Sequence, residues 1–165
     1  MHLQFKRFFL ALICVHLCSS VANVLAGDWV HWRGATQNGV SYDTGLPESF
    51  SLKEDDPKSN LIWTQPYGCR STPLVMNGRV YILNGVGAGV LEGERTMCFD
   101  ADTGKVLWED RFNLFHTDIV SDRVGWTSPA GDPETGNVYI HGTQGFLRCY
   151  DKDGKILWNR QLTEE

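Results

Sequence analysis

The chain has 165 residues, of which 42% are hydrophobic and 12% aromatic, and its formal net charge is −5 at pH 7. An acidic balance without basic clusters argues against nucleic acid and anionic membranes as partners. The composition is otherwise ordinary for a globular protein, and the 17 glycines and 6 tryptophans suit many short strands joined by turns.

The first 26 residues have the pattern of a secretory signal peptide. Lys6 and Arg7 give a positive start, an apolar run follows, and residues 24–26 (Val-Leu-Ala) form an acceptable small-residue cleavage site. A membrane anchor is the alternative, but the apolar run is short and is interrupted by polar residues such as His16. We therefore predict an exported chain, periplasmic or extracellular, without a transmembrane segment after signal cleavage.

Residues 27–59 are predicted to form an N-terminal arm and a polar loop. Trp29, Trp32 and Arg33 lie in this arm. Two indoles and a guanidinium could form a cation–π or sugar-stacking platform, or they could pin the arm to the rest of the protein. We favour the second interpretation, because it needs no ligand.

Two copies of one pattern organise the rest of the chain. Residues 97–108 (MCFDADTGKVLW) return as residues 148–158 (RCYDKDGKILW). In each copy two apolar runs flank a tight turn that contains Asp and Gly, which predicts a β-hairpin. The second copy is one residue shorter, and the missing residue falls in the turn, where its loss does not invert the faces of a strand.

A longer repeat contains each hairpin. A Ser/Thr-Pro segment and a second apolar run precede the first copy at 71–82, and a similar pair precedes the second at 127–140. A four-stranded unit at a period of about 40–50 residues is the signature of a propeller blade. We therefore predict an all-β fold, a β-propeller with four-stranded antiparallel blades at 71–109 and 125–159.

The segment before the first blade is predicted to be a closing strand. Residues 60–65 contain Trp63, which lies 45 residues before Trp108 and matches the end of a blade whose first three strands are absent. In closed propellers a terminal strand completes the blade at the other end of the chain. Since propellers close with about four to eight blades, we expect this chain to be a fragment, the N-terminal part of a longer protein that needs the missing blades to close its ring.

Residues 99–108 and 150–158 resemble the pyrroloquinoline-quinone (PQQ) repeat, which is usually written Ala-x-Asp-x-x-Thr-Gly-x-x-x-Trp. This repeat builds quinoprotein-dehydrogenase-like propellers, which implies a complete parent of about seven or eight blades. The resemblance covers about residues 60–162. It extends to a secreted bacterial type similar to the outer-membrane barrel-assembly propeller lipoprotein, and so implies an association with the outer membrane.

The residues that match the repeat are interpreted as structural. Asp100 and Asp151 can accept hydrogen bonds from the backbone of the turns, which end at Gly104 and Gly154. A Trp at the end of a fourth strand can bury about 150–250 Å² against the neighbouring blade. The structural residues of the repeat are therefore predicted to be Asp100, Gly104, Trp108, Asp151, Gly154 and Trp158, with Trp63 in the closing strand.

Cysteine stands twice where the repeat usually has Ala, as Cys98 and Cys149. We favour two small core residues in successive blades over a disulfide or a metal role. A bridge between the two stays open at this point, because they would lie in neighbouring third strands.

Three other patterns are weaker candidates for a site. The Gly-rich residues 85–94 lack the following helix that a dinucleotide site needs, and we read them as a hairpin loop. His116 and Asp118 could form an acid/base or metal pair, yet no second His stands at ligand spacing. Residues 151–154 start like a calcium loop without its later Glu.

The favoured function is a secreted, non-catalytic binding or scaffold module for a protein or glycan partner. The alternative is a fragment of a PQQ-dependent periplasmic oxidoreductase, a quinoprotein dehydrogenase. We identify no catalytic residue and no metal ligand, so the question of an enzyme stays open, with the balance against one. We expect no cofactor for this chain, and PQQ with calcium only in a complete parent. Function rests here on analogy between folds.

Overall fold

The computed structural model describes residues 27–53, 55–114 and 123–162. The predicted signal segment, His116 and Asp118 lie outside these residues. In the described part, no helix is long and apolar enough to span a bilayer. The regular structure of the described residues is almost wholly β, with one short 3-10 helix at Gly89–Leu91.

In the described part of the chain, eight strands form two four-stranded sheets, and each sheet is antiparallel with its strands in chain order. The first blade consists of β1 (Leu74–Met76), β2 (Arg79–Val86), β3 (Gly93–Asp100) and β4 (Val106–Asn113). The second blade consists of β5 (Ala130–Asp132), β6 (Asn137–His141), β7 (Phe146–Tyr150) and β8 (Ile156–Gln161). The prediction of an all-β fold with four-stranded antiparallel blades is confirmed.

The last two strands of both blades carry the same irregularity. The β3–β4 register shifts next to Cys98, and the β7–β8 register shifts next to Cys149. In the first blade Phe99 pairs with Val106 and Cys98 pairs with Trp108, so Leu107 is the extra residue of a β-bulge. The bulge increases the local twist of the outer strand next to the repeated tryptophan.

Cys98 and Cys149 are buried and unbridged. Cys98 lies between Tyr81 and Trp108 in one cross-strand row, so a small side chain fits between two large rings. Burial raises the pKa of the Cys98 thiol to about 11, and burial also raises the pKa of Cys149. Both side chains are therefore neutral thiols of the core at neutral pH.

The strands of the first blade extend further than predicted at one end. The predicted hairpin loop over residues 85–94 is confirmed only for residues 87–92, because β2 continues to Val86 and β3 begins at Gly93. β4 also runs on to Asn113 instead of ending at 109. The pairs that extend the ladder, such as Gly85↔Glu94 and Gly93↔Asn113, involve glycines that single-residue propensity does not favour in strands.

The N-terminal arm is joined to the first strands of both blades. The backbones of Trp29 and Val75 exchange two hydrogen bonds of 2.8 and 3.1 Å, which adds a bridge to β1. The carbonyl of the next residue, Val30, accepts a bond of 2.8 Å from the N–H of Gly131 in β5. Val30 is buried in the larger core cluster, so the arm contributes to the packing of the two blades.

Candidate functional site

The seam between the blades is organised around Trp108. Its indole Nε1 donates a hydrogen bond of 2.9 Å to the carbonyl of Lys152, in the last turn of the second blade. Its ring lies 5.3 Å from that of Tyr150, between centroids. A Cβ on Gly154 would stand 2.6 Å from the indole Cδ2, so only a glycine leaves room for this ring.

Trp63 packs on the last turn of the first blade in the same way as Trp108 packs on the last turn of the second. Its Nε1 donates to the carbonyl of Ala101 at 2.8 Å, and a Cβ on Gly104 would lie 2.5 Å from its Cδ2. Residues 61–65 have no ladder partner among the described strands, so the closing strand stays a prediction. The third repeated indole, Trp158, is 38% exposed and lies beside Tyr139 of its own blade.

The repeated aspartates fix the turns that receive the indoles. The Asp100 carboxylate accepts bonds from the hydroxyl and the backbone N–H of Thr103, at 2.6 and 2.9 Å. These bonds hold the pKa of Asp100 below its usual value. Asp151 accepts from the backbone N–H groups of Asp153 and Lys155, each at 2.9 Å. The two turns differ in length and still present the same face to a tryptophan.

A buried carboxylate bonds across the seam at another level of the sheet. Glu94 in β3 is fully buried. It accepts the N–H of Gly125 at 2.8 Å and the N–H of Thr143 at 2.9 Å, and it also accepts the Thr143 hydroxyl. We name Glu94 with these two donor residues the Glu94 clamp. It ties the first blade to two separate loops of the second.

An ion pair accompanies the Glu94 clamp. The Arg148 guanidinium lies 5.3 Å from the centroid of the Phe112 ring of β4 and pairs with the Asp110 carboxylate of the same strand. The Tyr150 hydroxyl donates to the same carboxylate at 2.7 Å, and burial raises the pKa of Tyr150 to about 12. Charge, hydrogen bonds and ring contacts thus all cross the seam here.

A cleft lies where the arm meets the first strands of the two blades. We call it the arm cleft, and its volume is about 550 Å³. The described residues that line it are Trp32, Arg70, Thr72, Trp126 and Ser128. The backbone N–H of Thr72 donates to the Ser128 hydroxyl at 3.0 Å, so the two blade walls are bonded to each other.

Sequence reasoning named Trp32 but missed Arg70 and Trp126. A signal for both was present, because each stands two residues before the Thr or Ser that precedes a repeated proline, Arg70 before Thr72-Pro73 and Trp126 before Ser128-Pro129. Equivalent positions in successive blades lie side by side at one face of a propeller. Both side chains are exposed, as that position predicts.

Residues 94–165 match the family model described as outer membrane protein assembly factor BamB, a model of PQQ repeats. These residues belong to the PQQ-repeat propeller family. No curated protein matches the chain. The PQQ-repeat match begins within β3, and it therefore includes the whole second blade and most of the last two strands of the first.

The first blade has the same build as the PQQ repeat next to it. The two blades share strand order, the bulge beside the cysteine and the turn that receives an indole. A calcium ion bound with PQQ would need about six to eight oxygen ligands. Among the described residues no group of three or more His, Cys, Asp or Glu could hold a metal ion.

Proposed function

We propose that this chain is a non-catalytic binding or scaffold module of the cell envelope, exported to the periplasm or the cell surface. The observation that carries the proposal is the use of the repeated residues. Trp63, Trp108, Gly104 and Gly154 all serve contacts within or between blades. The family description, an assembly factor for outer membrane proteins, supports the same class of function.

The distribution of polar groups supports a scaffold as well. The charged groups at the seam form contacts between the blades. Glu94 of the first blade accepts a hydrogen bond from Gly125, and Asp110 of the first blade pairs with Arg148 of the second. Exposed aromatic residues collect instead at the face that carries the arm, where Trp32 is 68% and Trp126 is 53% exposed. Exposed aromatic side chains beside a rigid framework are typical of a surface that binds a protein or a glycan.

We expect the chain to be exported and cleaved after Ala26, because the basic start, the apolar run and the small residues before Gly27 are what signal peptidase reads. The full chain with a C-terminal tag is produced in a Gram-negative bacterium, and the periplasmic protein is sequenced from its N-terminus. Gly27 should be the first residue. The control Ala26→Trp should leave the precursor uncut, and an intact Met1 on soluble cytoplasmic protein would contradict the export.

We also expect no saturable binding of PQQ with calcium at a dissociation constant of about 1 μM or tighter, a free energy of about −8 kcal/mol. Among the described residues no group of three or more His, Cys, Asp or Glu is placed to hold the calcium ion. Isothermal titration of the purified chain with PQQ and calcium measures this, with a known quinoprotein as the positive control. Saturable micromolar binding would instead favour a fragment of a PQQ-dependent oxidoreductase.

A further inference from the structure

We propose that the Asp43 carboxylate binds the amino terminus that signal cleavage creates at Gly27, and that this pair closes the base of the N-terminal arm. The inference rests on the proposed cleavage after Ala26 and gives that cleavage a structural consequence. In the full chain the backbone N–H of Gly27 donates a hydrogen bond of 2.8 Å to Oδ1 of Asp43. Hydrolysis of the peptide bond between Ala26 and Gly27 consumes one water, leaves a carboxylate on Ala26 and turns this same nitrogen into an ammonium group.

The Asp43 carboxylate is held in position before any ammonium group forms. The Ser41 hydroxyl donates to Oδ2 of Asp43 at 2.5 Å, and its oxygen accepts the backbone N–H of Asp43 at 3.1 Å. Oδ1 is therefore the oxygen that faces Gly27. The bonds from Ser41 and from Gly27 hold the pKa of Asp43 below its usual value, so this side chain is charged at neutral pH.

The residues that follow Gly27 keep its nitrogen beside Asp43. The two oxygens of the Asp28 carboxylate lie 3.1 and 3.2 Å from the backbone N–H of Asn77, which they accept in the turn between β1 and β2. The backbones of the next two residues bond to β1 and β5. Because three consecutive residues are tied to the blades, cleavage before Gly27 leaves the new ammonium group within reach of Asp43.

An ammonium group binds this carboxylate more strongly than an amide N–H does. In the full chain only the acceptor is charged, whereas after cleavage the donor and the acceptor carry opposite charges, and 2.8 Å is an ordinary distance for such a pair. An α-amino group has a usual pKa of about 7.7–8.0, and the carboxylates of Asp43 and the adjacent Asp28 both favour its charged form. The pair is therefore complete at neutral pH and is lost as the pH rises through the raised pKa of the Gly27 ammonium group.

The pair lies at the base of the loop that carries Trp32. Residues 27–43 run from the pair to the turn at residues 31–34, whose closing bond measures 2.9 Å, and back to the pair. Trp32 lies on this turn, is 68% exposed and lines the arm cleft. Cleavage thus tightens the segment that presents this indole, so the arm side of the proposed binding surface is completed in the exported form.

The test is an NMR titration of the mature chain, recovered from the periplasm with 13C at its glycine Cα atoms. The Cα resonance of an amino-terminal glycine moves as its ammonium group loses a proton. Gly27→Ala removes that resonance and so assigns it, and the added Cβ would lie 3.5 Å from Oδ1 of Asp43, an ordinary contact. We expect a titration midpoint about half a pH unit above that of a free α-amino group, as for an exposed ion pair, and a smaller shift in concentrated salt.

Variants assign the shift to the pair. Asp43→Asn should lower the midpoint by about half a pH unit, because the amide that replaces the carboxylate carries no charge. Glu92→Gln is the matched control, since it removes the same charge at the far end of β2 and β3 from the Asn77 turn. It should leave the midpoint of the parent unchanged.

Amide hydrogen exchange measures the effect on the arm. One serine inserted between Ala26 and Gly27 keeps Asp43 but returns the Gly27 nitrogen to an amide. The N–H groups of Gly34 and Gly39 each bond within the arm at 2.9 Å. They should exchange about two- to fivefold faster in the insertion variant than in the parent, the range expected for an exposed ion pair.

Two results would overturn the inference alone. One is a midpoint at the usual α-amino value, or a raised midpoint that Asp43→Asn leaves unchanged. The other is equal exchange at Gly34 and Gly39 with and without the inserted serine, because an amide would then hold the arm as well as an ammonium group does. Sequencing of the same sample separates these results from a failure of the proposed cleavage, since a first residue other than Gly27 would remove the cleavage and this inference together.

Discussion

Replacing Gly154 by Ala is expected to destabilise the chain by about 3–5 kcal/mol, although the change adds only one methyl group. Gly154 has φ +85°, a left-handed conformation that costs an L-residue about 1–2 kcal/mol. The new Cβ would also lie 2.6 Å from Cδ2 of Trp108. The ring must then leave its position, which breaks its bond to the Lys152 carbonyl and opens the seam.

The coupling energy between Trp108 and Gly154 distinguishes the backbone strain of an alanine at 154 from the loss of the packed indole. Trp108→Ala alone should cost about 3 kcal/mol, the lower end for a large aromatic, because this side chain is only half-buried. In the Trp108→Ala background, Gly154→Ala should cost only the backbone term of about 1–2 kcal/mol. The double-mutant cycle, measured by urea unfolding, should therefore show a coupling of about 2 kcal/mol.

A matched control exists in the same blade. Gly136 has φ +74°, and a Cβ there would meet only the Cβ of Lys152, at 4.0 Å. Gly136→Ala therefore carries the same backbone strain without the clash, and should cost about 1–2 kcal/mol. Two results would contradict the packing of Trp108 on Gly154 as the link between the blades. One is an equal loss of unfolding free energy for Gly136→Ala and Gly154→Ala. The other is that the losses for Gly154→Ala and Trp108→Ala simply add.

The existence of each strand could be predicted from the sequence, whereas several strand ends could not. The turns between strands are local, so Asp and Gly near residues 100–104 and 151–154 are visible as patterns. The far ends of β2 and β3 depend on pairing between residues such as Gly85 and Glu94. That pairing is set by the partner strand and by packing, and propensity within one segment does not contain it.

Some contacts between the blades could also be predicted from the sequence, whereas others could not. The docking tryptophans could be predicted because they recur, although the structure places Trp108 and Trp158 near the start of their strands and not at the predicted end. The Glu94 clamp occurs once among the residues that the structure describes, and its partners lie 31 and 49 residues away in the chain. The arm cleft likewise combines three distant segments. The residues that line the arm cleft are far apart in the sequence, and they come together only when the two blades pack.

The second large effect is expected for Glu94→Ala, which should cost about 3–5 kcal/mol. The change leaves two backbone N–H groups without their acceptor, and each buried donor left unsatisfied costs about 1–3 kcal/mol. It also leaves the Thr143 hydroxyl with only the Arg123 carbonyl, at 3.4 Å. Glu94→Gln keeps one acceptor oxygen but turns an amide donor toward another donor, so its loss should be intermediate. Urea unfolding measures both, and Glu134→Ala in an exposed turn should change stability by no more than about 0.5 kcal/mol.

Amide hydrogen exchange distinguishes the Glu94 clamp from a general loss of packing. The N–H groups of Gly125 and Thr143 belong to loops outside the sheets, and the structure gives each of them the Glu94 carboxylate as acceptor. In the parent they should be protected, and in Glu94→Ala they should exchange faster while amides in the middle of β2 keep their protection. Unchanged exchange at Gly125 and Thr143 would mean that other acceptors serve these loops, and that Glu94 contributes only its volume to the seam.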